Sequence, residues 1–147
     1  MIWLYLLLAV AAGVMLPLQY GINAQLAHWL GSPIRAAFVS FLVGMLALLV
    51  VSAFVRKPLP SAARLGQVPW WVWIGGLLGA FYVAGSIVTA PKLGAVTLTA
   101  AIVAGQALAS TAVDQFGWVG FKEHHLTPGR GLGIVLVGVG IALVRLF

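Results

Sequence analysis

Long uncharged runs of apolar residues constrain this chain more than any other feature. Residues 36–55, for example, contain only two polar side chains, Ser40 and Ser52, and no charged one. Charged residues make up 7% of the whole chain, whereas a soluble domain carries roughly 25% because its surface must face water. The two acidic residues, Asp114 and Glu123, cannot cover such a surface. We therefore predict an integral membrane protein whose surroundings are the lipid bilayer.

Five segments are long and apolar enough to cross a membrane. A helix needs about 20 residues to span a hydrocarbon core of about 30 Å. The apolar runs are continuous and do not alternate with a period of two, so a barrel of strands is not expected. The intervening polar stretches are too short to bury a core of their own. We predict an all-α bundle that forms a single transmembrane domain over residues 1–147, with helices at about 2–29, 35–55, 70–90, 94–113 and 130–146.

The first segment allows two interpretations. It lacks a basic start and a convincing cleavage site, so a retained helix is expected rather than a signal peptide. Pro17 lies inside it, and a proline in a helix removes one backbone hydrogen bond. We favour one tilted, kinked helix from Ile2 to Trp29. The alternative is a span that ends near Leu18 and continues as an interfacial stretch.

The composition also argues against several functional classes. The net charge of +6 comes from basic residues scattered near the ends of apolar runs. This placement is typical of anchors to lipid headgroups rather than of a nucleic-acid interface. The chain has no cysteine, and His124 and His125 have no further ligands near them in sequence. We expect no metal site, no cofactor and no enzymatic activity, since neither paired carboxylates nor an activated nucleophile is apparent.

The distribution of positive charge leaves the orientation open. With five crossings, one side of the membrane would carry five basic residues and the other only three, namely Arg35, Lys92 and Arg145. The positive-inside rule then weakly favours an N-terminus in the cytoplasm. Either a single orientation or dual topology, in which copies insert both ways and pair antiparallel, is compatible with this count.

Three of the predicted helices carry polar side chains along one face, where they could line a substrate pathway. The side chains repeat at helical spacings of three or four residues, and the pathway candidates are Gln19, Asn23, Tyr82, Ser86, Gln106 and Ser110. Primary amides offer donors and an acceptor that one neighbouring hydroxyl seldom satisfies. These amides therefore suit recognition of neutral or zwitterionic solutes. The alternative is that the polar groups only bond to their own or neighbouring helices.

Asp114 is the only acidic residue close to a predicted span. If its carboxyl group is buried, it could exchange a proton and couple transport to protons. The alternative is a carboxylate in water at the end of its helix.

Small residues recur at spacings that permit close helix packing. Gly75 and Gly79 are four residues apart, and Gly131 and Gly138 are seven apart. Such rows let two helix backbones approach each other. They would serve either a dimer or packing within one subunit, and the spacing does not distinguish the two.

Short motifs occur in order over almost the whole chain, at residues 16–24 (LPLQYGINA), 31–33 (GSP), 39–41 (VSF), 69–71 (PWW), 75–76 (GG), 90–95 (APKLGA), 105–106 (GQ), 114–117 (DQFG) and 130–133 (RGLG). Together these motifs resemble the YdcZ-like family of the drug/metabolite transporter superfamily. The resemblance implies five helices, a multi-pass inner membrane location and a homodimer of oppositely oriented subunits. Such a dimer would be an inverted-repeat transporter with its site at the subunit interface.

The related small multidrug resistance proteins have a membrane-embedded glutamate in their first helix. The corresponding polar positions here are the neutral Gln19 and Asn23, which argues against cationic drug antiport through such a carboxylate. Our first hypothesis is a secondary transporter or exporter of small polar metabolites or drug-like solutes that works by alternating access. The alternatives are a passive channel, a lipid-handling protein or a non-transporting membrane assembly subunit.

Overall fold

The computed structural model describes residues 1–55 and 58–146, and these contain helices and turns but no strand. The helices are α1 (Ile2–Leu30), α2 (Pro33–Phe54), the short α3 (Ala62–Leu65), α4 (Gly75–Leu93), α5 (Ala95–Phe116) and α6 (Pro128–Leu146). Five helical segments are long and apolar enough to cross a membrane, with a 3₁₀ turn at Trp70–Ile74 leading into α4. The prediction of an all-helical membrane protein with five spanning helices is confirmed. Arg56 and Lys57, which enter the charge count, lie outside the described residues.

Helix α1 runs without interruption through Pro17. A full break would expose unpaired backbone groups to lipid, which offers no water to bond them. The chain therefore stays helical on both sides of the proline. The helix ends at Gly31, whose positive φ of 64° lets its N–H bond to the Ala27 carbonyl. The Ser32 side chain then accepts from the Arg35 N–H, and Pro33 occupies the first turn of α2. These residues make a tight turn between two spanning helices.

Helix α4 extends past its predicted end. Pro91 lies within its last turn, and the helix continues to Leu93, whereas the sequence placed the end at residue 90. Gly94, with φ of 75°, then starts the turn into α5. Helix α5 also runs beyond the predicted residue 113, to Phe116. Both extensions keep backbone groups hydrogen-bonded near the membrane surface.

The described chain forms two compact units, of which the first is Met1–Pro91. Its core forms where α1, α2 and α4 meet, around Ala36, Ala37, Val83 and Ile87. The two alanines lack bulky side chains, so the helix backbones can approach closely.

The second unit runs from Lys92 and contains α5 and α6, which pack against each other. Helix α5 ends at Gly117, whose φ is 61° and whose N–H bonds to the Val113 carbonyl. A Cβ at this position would lie 2.8 Å from Cγ of Glu123. The left-handed backbone conformation therefore favours glycine, and a larger residue would also have to displace the Glu123 side chain.

Large apolar side chains cover the surfaces of the spanning helices. Trp3 in α1 is 75% exposed, and Phe54 in α2 is 80% exposed. A soluble monomer rarely presents such continuous apolar surface to water. In this protein the exposed side chains are solvated by acyl chains.

Candidate functional site

A groove in the first unit brings together polar groups from α1 and α2. It encloses about 380 Å³ and is lined by Gln19, Ser40, Phe41, Gly44, Met45, Leu48 and Val83. Gln19 and Ser40 are both partly buried. The groove therefore has mostly apolar walls with an amide and a hydroxyl, a combination typical of sites that orient a small solute.

Asn23 lies one helical turn beyond Gln19 and is almost completely buried, with 4% of its surface exposed. Its Nδ2 has no hydrogen-bond partner among the described residues. A buried polar group without a partner costs roughly 1–3 kcal/mol. This cost is explained if the Asn23 amide binds a ligand or a second subunit that supplies the missing partner.

Two tyrosines and a serine of the first unit are further polar residues near Asn23 in the predicted pathway or beside it. Tyr20 is 1% exposed, and its side chain interacts with that of Tyr82 between α1 and α4. Ser86 is also buried, but its hydroxyl donates to the Val83 carbonyl at 2.8 Å. The Ser86 proton is thus used within its own helix, and its oxygen can act only as an acceptor toward other groups.

A second groove lies in the second unit, between α5 and α6. It encloses about 260 Å³ and is lined by Ala107, Ser110, Thr111, Asp114, Leu126, Arg130, Gly133, Ile134 and Val137. Nη2 of Arg130 lies 3.3 Å from Oδ2 of Asp114, and the two side chains are 47% and 29% exposed. Asp114 is therefore paired with a cation at the end of its helix.

The loop between α5 and α6 is tied to the end of α5. The Gln115 side chain accepts from the Leu126 N–H at 2.7 Å and donates to Nδ1 of His125 at 3.1 Å. The His124 N–H bonds to the Asp114 carbonyl at 2.8 Å, and Arg130 donates to the His124 carbonyl at 3.2 Å. These bonds hold the loop against the charged end of the second groove.

The predicted pathway residues and Asp114, the predicted proton-coupling residue, divide between the two units. Gln19, Asn23, Tyr82 and Ser86 belong to the first unit, and Ser110 and Asp114 line the groove of the second. Gln106 is exposed on α5. Convergence of all three polar faces on one chamber stays a prediction.

The polar lining of the two grooves also includes Ser40, Thr111 and Arg130, which were not among the predicted site residues. The sequence does hold a signal for Ser40, since it is one of only two polar side chains within residues 36–55. It also holds one for Arg130, which is a basic residue at the start of the last span. Its pairing with Asp114 across the intervening loop has no signal in the spacing.

The glycines selected for packing have different surroundings. A Cβ on Gly79 would lie 3.4 Å from the Phe41 ring, so this glycine faces α2. Added Cβ atoms on Gly75, Gly131 and Gly138 would meet nothing within 4 Å. Gly79 therefore packs within the subunit, and the other three leave room on the helix surface.

No group of three or more His, Cys, Asp or Glu side chains that could hold a metal ion occurs among the described residues. The polar side chains that line the two grooves are one amide, three hydroxyls and one ion pair.

Comparison with known proteins shows the family. Residues 4–143 match the family described as "Putative inner membrane exporter, YdcZ". The inner membrane protein YdcZ of Escherichia coli strain K12 is 30% identical over 140 residues, which cover 92% of this chain and 90% of that protein. No solved structure matches the chain. With its five spanning helices, the chain is a multi-pass inner membrane protein and belongs to the YdcZ family of membrane exporters.

Proposed function

We propose that this protein is a secondary transporter of small polar metabolites or drug-like solutes. Membership in a family of inner membrane exporters supports a membrane transporter role rather than an enzymatic one. The observation that carries the proposal is the buried amide of Asn23, whose nitrogen lacks a partner one helical turn from the groove at Gln19.

The chemistry of the first groove favours neutral or zwitterionic solutes. Its polar lining consists of the Gln19 amide and the Ser40 hydroxyl, and the other lining residues are apolar or glycine. An amide can donate to and accept from a polar solute. An organic cation would find no carboxylate among these lining residues, so cation antiport of the small multidrug resistance type is not proposed.

The transport cycle we propose uses a homodimer of oppositely oriented subunits. A two-fold axis in the membrane plane makes the inward- and outward-facing states equivalent, because each subunit exchanges roles with its partner. Asn23, Tyr82, Ser86, Gln106 and Ser110 would contribute to the pathway together with Gln19. Proton coupling at Asp114 would require its pair with Arg130 to open during the cycle.

The experiment that tests this function is counterflow in proteoliposomes. The purified protein is reconstituted and offered a panel of isotope-labelled amino acids, polyols and nucleosides, with uptake read by mass spectrometry. We expect saturable uptake that is accelerated by unlabelled solute on the opposite side. Flux that never saturates would indicate a passive channel, and the absence of flux across the panel would contradict transport of these classes.

Replacement of Asn23 by leucine should separate function from stability. The variant removes a donor from the pathway, and it should lower flux at least about tenfold, the scale of one lost hydrogen bond to a polar solute. It also removes a buried unsatisfied amide, so the thermal midpoint should stay unchanged or rise. Gln19→Leu should lower flux similarly.

The matched control is Gln25→Leu, which removes an amide from an exposed position on the same helix. Its flux should equal that of the wild type. Wild-type flux in both Gln19→Leu and Asn23→Leu would remove these residues from the pathway.

A further inference from the structure

The groove between α5 and α6 carries a pattern of charges and acceptors that selects a particular kind of ligand. Ser110 donates to the Ala107 carbonyl at 3.2 Å, and Thr111 donates to the same carbonyl at 2.6 Å. Both hydroxyl protons are therefore used inside α5. Toward the groove these two side chains can offer only oxygen lone pairs.

The ion pair adds one group of each sign. Asp114 uses Oδ2 toward Arg130, which leaves Oδ1 as a further acceptor. Arg130 directs Nη2 to Asp114 and Nη1 to the His124 carbonyl. Since a guanidinium has five N–H donors, further donors are available to an anionic group beside the pair.

These acceptors and donors are complementary to a primary ammonium group that stands beside an anionic group. Three acceptors, from Ser110, Thr111 and Asp114, match the three N–H bonds of a primary ammonium. The guanidinium of Arg130 matches a phosphate or a carboxylate. A quaternary ammonium has no N–H, and it would leave the acceptors unused.

The rest of the groove is apolar. Ile134 and Val137 lie farther along α6 from the charged end, and Ala107 lies on α5 opposite them in the lining. The charged end lies where α5 stops and α6 begins, and Asp114 is followed in the chain by the stacked rings of Phe116 and Trp118, whose centroids are 5.0 Å apart. Aromatic side chains favour the headgroup layer of a membrane. The groove thus presents its charges at the membrane surface and its apolar walls toward the acyl chains.

We propose that this groove binds zwitterions that carry a primary ammonium beside an anionic group, as in an ethanolamine phosphate headgroup or an amino acid. The inference deepens the proposed function, because it names a ligand class for Ser110, a proposed pathway residue, and for Asp114, the proposed proton-coupling residue. Binding is measured without flux, so failure of this inference leaves the transport proposal standing, and the reverse also holds.

The experiment compares two short-chain lipids that differ only in the ammonium group. The purified full-length protein in nonionic detergent is titrated with phosphatidylethanolamine and with phosphatidylcholine of the same chains, and binding is read by thermal stabilisation and native mass spectrometry. We expect the ethanolamine lipid to bind roughly tenfold more tightly or better, the scale of a charge-assisted hydrogen bond. Equal affinity for the two lipids would exclude lipid headgroups as the ligand of this groove.

Free solutes distinguish the source of the ligand. O-phosphoethanolamine and glycine are titrated in parallel with phosphocholine and glycine betaine. Preference for the two primary amines would assign the groove to soluble zwitterions as well. Preference confined to the lipids would assign it to headgroups, and absence of any preference in both series would overturn the proposal.

Three variants test the residues. Asp114→Asn should abolish the preference for the primary ammonium, and Ser110→Ala should reduce it while the ion pair stays intact. The control, Glu123→Gln, removes the other carboxylate of the chain, which is exposed in the adjacent loop, and should keep the full preference. An unchanged preference in folded Asp114→Asn and Ser110→Ala would exclude this groove as the site.

Discussion

Gln115 sets which ring nitrogen of His125 can accept a hydrogen bond. The Leu126 N–H can only donate, so the Gln115 atom at 2.7 Å from it must be the amide oxygen. The amide nitrogen then faces Nδ1 of His125 at 3.1 Å and donates to it. His125 must therefore be neutral with its proton on Nε2 for this bond to form.

His124 requires the opposite arrangement. Its Nδ1 lies 2.9 Å from the Lys122 carbonyl, which can only accept. The proton must then be on Nδ1. The two neighbouring histidines are thus expected to be different tautomers, His124 with its proton on Nδ1 and His125 with its proton on Nε2.

We predict that nitrogen NMR of histidine-labelled protein at alkaline pH will find these two tautomers. His125 should give the shifts of an Nε2–H ring and His124 those of an Nδ1–H ring, because each ring is fixed by its partner. Assignment comes from His124→Gln and His125→Gln. In Gln115→Leu the nitrogen chemical shifts of His125 should move toward those of a ring that exchanges freely between its two neutral tautomers. An identical tautomer at both positions in the wild type would contradict the loop geometry.

At the scale of the helices, glycine spacing alone did not show which contacts are internal. Gly79 faces Phe41 in the same subunit, whereas Gly75 meets nothing within 4 Å. One member of the pair therefore packs inside the subunit, and the other leaves open space on the helix surface. A substitution at Gly79 tests internal packing, and a substitution at Gly75 tests packing between subunits.

We predict that Gly79→Leu destabilises the subunit by about 1–3 kcal/mol, because a larger side chain must displace the Phe41 ring. Gly75→Leu should leave subunit stability unchanged. Unfolding in a denaturing detergent, followed by circular dichroism, measures both. The double variant Gly79→Leu with Phe41→Ala should recover part of the loss, since the two side chains share one space.

Dimer formation is measured in the same samples by chemical cross-linking. If the helix surface at Gly75 forms the subunit interface, Gly75→Leu should dissociate the dimer without unfolding the subunit. A Gly79→Leu variant as stable as the wild type would contradict the α2–α4 contact.

At the scale of the whole molecule, the orientation in the membrane decides whether the proposed antiparallel dimer can form. The chain contains no cysteine, so each introduced thiol is a unique label. Gln67 and Leu93 are exposed, and they lie just before the start and at the end of the spanning segment Trp70–Leu93. A single orientation would place the two positions in different compartments.

We predict that Gln67→Cys and Leu93→Cys, which leave the number of basic residues unchanged, are each labelled from both sides of the membrane by an impermeant maleimide. The reason is the small difference in basic residues between the two sides, which gives little preference for one insertion. Intact spheroplasts and inverted vesicles supply the two sides. Labelling of one position only from outside and the other only from inside would exclude dual topology.

Local composition was enough to determine that the chain enters a membrane and how many times it crosses. Insertion of a segment depends on the transfer free energy of its own residues, so the runs of uncharged apolar side chains carry this information. The ends of the helices depend on more than local composition. Pro91 reads as a stop in the sequence, yet α4 includes it and continues to Leu93. A proline there gives up a backbone hydrogen bond, and spanning helices tolerate this loss where neighbouring groups satisfy the freed carbonyl.

The partners of the polar side chains were decided by the tertiary structure alone. Lipid is as apolar as the side chains that face it, so no alternation of hydrophobicity marks which side of a spanning helix packs against another. The sequence could place Gln19 and Asn23 on one face, but it could not predict that Ser40 would join Gln19 or that Asn23 would be buried without a partner for Nδ2. The pair of Asp114 with Arg130 likewise depends on the path of the loop between α5 and α6. Hydropathy is a property of each segment, whereas these contacts depend on packing between segments that are distant in the chain.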